Sequence, residues 1–301
     1  LDRTRVELHD TVLTWNGKMR ELDIRATGLR FLGLDGRVHA TLPEVNVTFS
    51  ASALMRGLVA PTNLELFAPR MKVIRAASGE VSIDFGGGHG SESGSAAPIG
   101  FVQELLRPPN RALASGYLSG IAVRSAFIEF EDAVSGRNFI TPNASVLLTR
   151  NEEGIRADGS ITVGSHERAI HLGLSGIYRA SSRTTNLRII FSDTAPSAFA
   201  QFDPRLVLLE RLDTRLDGTV KVAVDPDFRA VVGSLDLRAS AGTIDASPFH
   251  AEPFAFDSAS FRLNAEQAQG LVRLEAFELV QGESKVTISA DGKRDDGVWA
   301  T

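Results

Sequence analysis

Period-two alternation of apolar and polar residues runs through this sequence from end to end, and it fixes the secondary structure more tightly than any other feature. Strand-like stretches carry Val6 and Leu8, Leu22 and Ile24, then Val45, Val47 and Phe49. The same spacing returns at Leu64 and Leu66, at Val81, Ile83 and Phe85, at Val146 and Leu148, and at Ile170, Leu172 and Leu174. It continues through Leu187, Ile189 and Phe191, through Val220, Val222 and Val224, and through Leu235 and Leu237, Phe261 and Leu263, and Val286 and Ile288. Successive strand side chains point to opposite faces, so each stretch predicts a strand with one apolar face. Arg, Glu, Asp, Thr and Ser fill the intervening positions, whereas a parallel sheet covered by helices on both sides needs nearly continuous apolar runs. The expected class is therefore all-β with a few short helices, built on antiparallel meanders. Gly-containing turns at Asn16-Gly17, Asp35-Gly36, Ser78-Gly79, Ser135-Gly136, Glu153-Gly154 and Asp291-Gly292 are expected to separate the strands.

Helical signals are confined to three places. Ser50 or Ser52 is placed to cap a short turn through Ala53 to Arg56 closed by Gly57, and Pro98 opens a second segment, with Leu105 and Leu106 on its face. A third lies near Thr194-Ala195-Pro196 and restarts at Asp203-Pro204, with Leu206, Leu209 and Leu212 on one side. Residues 86 to 97 are Gly- and Ser-rich without apolar pattern and read as a linker. The expected division is a β segment over 1–85, the linker and short helices over 86–116, a second β segment over 117–193, short helices over 194–212, and a third β segment over 213–301. One continuous architecture would hold all five. Val6 to Asp10 followed by Asn16-Gly17-Lys18 matches Ile128 to Asp132 followed by Ser135-Gly136-Arg137, which suggests an internal repeat.

Chemistry is sparse. The chain has 301 residues, 43% of them hydrophobic and 23% charged, enough for a sizeable core. Its net charge of -5 opposes general nucleic-acid binding, which needs a basic field, so no nucleic-acid partner is expected. With no cysteine, disulfides, thiolate metal sites and cysteine nucleophiles are all excluded. The six histidines show no HExxH or His-x-His spacing, the glycine run at 86–90 lacks the Lys-Ser/Thr ending of a phosphate loop, and no Gly-x-Ser-x-Gly elbow occurs. Asp225-Pro226-Asp227 reads as a turn, and the sequons at Asn46 and Asn143 lie in strand-like runs. No enzyme activity, metal or cofactor is expected. No apolar run approaches the length of a membrane span, and strand-like sequence at both ends reads as a piece cut from a longer protein.

An apolar sheet face has to be covered by a second sheet, by helices or by a ligand, at about 25 cal/mol for each Å² otherwise left wet. Helices are too few here. A closed dry core and an open trough for acyl chains satisfy the alternation equally, and both stay open at this point.

The stretch from Ser52 through Ala60-Pro61, Leu64 to Phe67, Ala68-Pro69 and Arg75 to Ser78-Gly79-Glu80-Val81-Ser82-Ile83 resembles the AsmA-like superfamily. Arg211 to Val220, Ala241 to Ile244, and the closing run from Leu271 to Gly292 are similar to its YhdP branch, close to the TamB-like proteins. The resemblance implies a segment of an inner-membrane-anchored protein of the Gram-negative periplasm. Its relatives form an elongated, curled sheet of repeating β units around an apolar-lined groove, and pass phospholipid between inner and outer membranes. The implied partners are phospholipid and the membranes at the ends of the full-length protein, with protein partners unspecified. No family catalytic residue exists to carry over. The candidate groove lining is the set of apolar strand positions from Val45 to Leu263 given above, Leu64, Leu66 and Phe85 included.

Overall fold

The computed structural model describes residues 5–18, 20–32, 38–78, 81–84, 104–134, 136–164, 169–202, 204–225, 230–247, 252–266, 270–295 and 298–300. The chain is mostly β, with 68% of residues in strands, and its main feature is one long, mixed, largely antiparallel sheet that is not closed into a barrel. Two compact units divide it: residues 1–164 with 178–182, and residues 165–177 with 183–301.

In the first unit, β1 (Arg5–Glu7) and β2 (Asp10–Asn16) both run antiparallel to β3 (Glu21–Leu32), which pairs with β4 (Val38–Ser50). At the end of β4 the Ser50 hydroxyl accepts the Ala53 N–H at 3.3 Å and caps α1 (Ala51–Leu54). Gly57, at φ +77, then turns the chain into β5 (Pro61–Phe67), the next antiparallel neighbour of β4. β5 and β6 (Arg70–Arg75) lie in line and both pair parallel to β8 (Gly120–Asp132). Parallel pairing needs a long crossover, and the chain between β6 and β8 supplies it, with β7 (Val81–Asp84) forming a hairpin on β6 along the way. This departs from the purely antiparallel meander expected from alternation.

The step between β5 and β6 is matched on β8. Ala68 (φ 46) and Ser125 (φ 52) both take the left-handed conformation, and Ala68 N–H bonds to Arg124 O at 2.8 Å while Phe127 N–H bonds to Pro69 O at 2.9 Å. Pro69 cannot donate to a ladder, and here it sits at the irregularity where none is required. β9 (Arg137–Asn151) pairs with β8 and with β10 (Gly154–Val163), the second turn being held by Asn151 Oδ1, which accepts the N–H groups of Glu153 and Gly154 at 3.0 and 3.1 Å.

β11 (Ile170–Arg179) carries residues of both units. In the second, β12 (Thr184–Thr194) leads to two 3₁₀ helices, Pro196–Gln201 and Pro204–Arg211, where helical signals were expected. A small sheet of β13 (Leu212–Asp213), β16 (Gly242–Ile244) and β17 (Phe254–Phe256) follows. The main ladder runs β12, β14 (Leu216–Val224), β15 (Ala230–Ala239), β18 (Ser258–Glu266), β19 (Leu271–Gln281) and β20 (Ser284–Asp295), antiparallel throughout, with β21 (Val298–Ala300) on the end of β20.

Two turn and repeat expectations come out differently. Asp291-Gly292 lies inside β20, opposite Arg273 and Val272, because Arg273 Nε holds the Asp291 carboxylate across the ladder at 2.7 Å. Asp10 opens β2 whereas Asp132 closes β8, so the two halves of the suggested repeat occupy different places. The 86–97 linker, the start of the Pro98 segment and Pro226-Asp227 lie outside the described residues.

Candidate functional site

Residues in register across neighbouring strands share a face, so the ladders show directly which candidate positions come together. In the first unit Leu13, Ile24, Val47, Leu64, Ile121 and Leu148 form one row across β2, β3, β4, β5, β8 and β9. Ala26, Val45, Leu66, Val123 and Val146 form the next, and Trp15, Leu22 and Phe49 a third. Past the Ser125 bulge the same side continues through Val73, Phe130 and Phe139, the two rings stacked with centroids 6.0 Å apart. Ile83 is in register with Val73, and Val81 with Arg75. Phe85 lies outside the described residues.

The opposite side of this unit is ionic. Arg25 pairs with Glu44 at 2.8 Å, Lys72 with Glu131 at 2.7 Å, and Arg124 with Glu65, while Thr48 Oγ1 donates to Asp23 at 2.6 Å.

The second unit repeats the arrangement over six strands. Ile189, Val220, Leu235, Leu263 and Leu274 form a row, flanked by Phe191, Gly218, Leu237, Phe261, Phe277 and Ile288 on one side. On the other lie Leu187, Val222, Gly233, Ala265 and Val272, with Val224 beyond them. The reverse side reads Arg188, Lys221, Ser234, Asn264, Arg273 and Asp291. Phe277 and Leu279, whose sequence has apolar residues on both sides, face with Phe261 and Ala259 and so belong to the apolar side.

Burial separates a lined surface from a filled core. Of the candidate lining positions, Val45, Ile170, Phe191 and Val224 are buried. Val47, Phe49, Leu64, Leu66, Val146, Leu148, Leu172, Leu174, Ile189, Val220, Val222, Leu235, Leu237, Phe261 and Leu263 are half-buried, and Leu187 is exposed. Val220, Leu235 and Leu263 stand on interior strands with neighbours on both sides, yet keep part of their surface open. A second layer packed over them would remove it. Among the described residues, most of the buried apolar side chains are alanines, so little of the large apolar surface is sealed.

Each face is closed at one end of its strands. In the second unit Ile170, Phe191, Ala198 and Leu216 form a dry cluster, extended by Leu172, Phe199 and Phe202, with the rings of Phe191 and Phe199 5.0 Å apart. Gly218 makes room for it, because a Cβ there would sit 2.1 Å from Phe191 Cζ. In the first unit Arg150 holds a strap made of residues 104–118. Its guanidinium donates to Ser115 O at 2.8 Å, Arg107 O at 2.8 Å and Glu104 O at 3.2 Å. Leu105 and Leu118 of that strap meet Ile121, Leu148 and Ile155 around an apolar cavity of about 20 Å³. Burial lowers the Arg150 pKa, and nearby Glu104 opposes the shift.

Sequence reading missed Ile121 and Val123, whose neighbours Gly120 and Ala122 blur the alternation, and it missed Arg150, one arginine among many. Among the described residues no group of His, Asp or Glu is placed to hold a metal ion, and no helix is long and apolar enough to cross a membrane. No protein-family model, curated protein or solved structure matches the chain. The functional argument therefore rests on the two apolar faces themselves.

Proposed function

We propose that this chain is a lipid-handling segment: phospholipid acyl chains lie on its apolar sheet faces while head groups stay toward water. In the wider reading it belongs to an inner-membrane-anchored protein of the periplasm and passes lipid between inner and outer membranes without cofactor or turnover. The resemblance to AsmA-like proteins supplies that setting. The observation that carries the reading is the partial exposure of Val220, Leu235 and Leu263 in mid-sheet.

Size supports it. Six strands at about 4.8 Å spacing and four side-chain positions at about 6.8 Å give the second unit an apolar face of roughly 24 by 20 Å. That approaches 500 Å², at the upper end of the patches that soluble monomers leave open. A methylene fully buried contributes about 0.8 kcal/mol, so one covered on a single side contributes about 0.4, and ten such groups about 4 kcal/mol.

Lipid extraction and mass spectrometry of the purified protein test the reading, together with uptake of a fluorescent phospholipid. Co-purified phospholipid is the expected result. Protein that is consistently empty and takes up no labelled lipid refutes it and favours a non-catalytic envelope scaffold, a reading that draws on the dry cluster around Phe191.

A further inference from the structure

The densest group of exposed large apolar side chains is neither in the middle of a face nor in a loop. Val6, Leu8, Val12, Leu13 and Trp15 all stand exposed on β1 and β2. Among the described residues these two strands pair only with β3, which leaves the other side of their backbone without a strand partner. An edge of this kind is a template for another strand, and natural sheets guard such edges with lysine, proline, bulges or inward charges. Asp10 to Asn16 contains no lysine and no proline, and all its register pairs with β3 run without a shift. The free edge of β20, by contrast, carries Lys285 and Asp291.

Two rows of the first unit's apolar face end here. Leu13 is 63% exposed and Trp15 59%, while their register partners Ile24 and Leu22 are half-buried. The difference is a missing neighbour: each interior residue of the row has a strand on both sides. Val12 is also exposed and projects to the other face, so a strand added at this edge would cover apolar surface on both sides of the sheet.

We infer that the edge of β2 is an interface for a second copy of this chain, paired antiparallel about a two-fold axis through Leu13. That register sets Leu13 against its own copy, Val12 against Thr14, Thr11 against Trp15 and Asp10 against Asn16, and brings no like charges together. A two-fold axis perpendicular to the sheet keeps both apolar faces on the same side. The row through Leu13, Ile24, Val47 and Leu64 then runs on into the same row of the partner. An interface made by one seven-residue strand is small, so the dimer is weak and concentration-dependent.

The absence of cysteine makes the test clean. Opposed residues in an antiparallel pair have Cα atoms about 4.5–5.5 Å apart, within disulfide range. Full-length chain carrying Leu13→Cys should become mostly disulfide-linked dimer under mild oxidation. Asp10→Cys alone should not, because its symmetry mate lies six residues along the pair, roughly 20 Å away. Mixing Asp10→Cys with Asn16→Cys chains should restore the crosslink. In sedimentation the unmodified chain should show a dimer fraction rising with concentration, weakened at least tenfold by Leu13→Lys or, independently, Val12→Lys. Crosslinking of Leu13→Cys no faster than of Val286→Cys on the β20 edge, equal crosslinking by Asp10→Cys alone, or a monomer at every concentration would overturn the proposal.

Discussion

Leu235→Asp separates an open lipid face from a dry core in one variant. Leu235 sits on β15 between Val220 and Leu263, in the central row of the second unit, and is half-buried. Full burial of a leucine side chain contributes about 1.5–3 kcal/mol, so a half-buried one loses on the order of 1 kcal/mol when replaced, and the new carboxylate remains hydrated. Were the position sealed under a second layer, the same substitution would strand an unpaired charge, and breaking that kind of packing costs about 3–5 kcal/mol. Urea unfolding of lipid-stripped protein, followed by circular dichroism, distinguishes the two values. Lipid occupancy should move the other way. A charge in mid-row removes one-sided contact from several methylenes, and a loss of about 1–2 kcal/mol lowers affinity roughly 5- to 30-fold. Native mass spectrometry after equilibration with a fixed phospholipid concentration reads that change. Asp236→Asn, one residue along and on the ionic side, should leave both quantities within about 0.5 kcal/mol of the parent chain. A large loss of stability in Leu235→Asp with lipid content unchanged would refute the open-face argument. Leu172→Asp is the harsher companion, since Leu172 packs on the dry cluster and should lose stability as well as lipid.

Gly218→Ala drives a methyl group into the Phe191 ring, and overpacking of this kind should cost about 1–3 kcal/mol in urea unfolding; a cost below 0.5 kcal/mol, roughly, would show that the ring yields freely. Arg150→Met removes three hydrogen bonds to strap carbonyls. Hydrogen exchange should then quicken across residues 104–118 and stay unchanged in β14 and β15; unchanged protection in the strap would contradict the assigned role. Ser50→Ala deletes the cap of α1, for an expected loss of about 1 kcal/mol by the same unfolding assay.

Local features of this fold are legible in its sequence because they depend on neighbours a few residues apart. Leu235-Asp236-Leu237 declares a strand and its two faces without reference to anything distant, and Ser50 with Gly57 declares a capped turn in the same way. Pairing is different in kind. That β5 and β6 run parallel to β8 follows from a crossover of more than forty residues and from two left-handed residues, Ala68 and Ser125, that must meet across the ladder. Neither residue type signals that conformation. The face of Phe277 was ambiguous for a related reason. A register shift between Leu274 and Phe277 moves the pattern by one residue, and only the partner Phe261 shows which side it rejoins. The candidate surface thus has two origins: alternation supplies the apolar side of each strand, while register decides that those sides add into one face. A single slipped ladder would turn half of that face to the ionic side. Because matched bulges on β8 and β9 restore the alternation after each irregularity, apolar residues stay in line from Leu13 to Leu148 and again beyond Ser125. A core scattered in patches would need no such correction, whereas a surface on which an extended apolar ligand lies continuously depends on it.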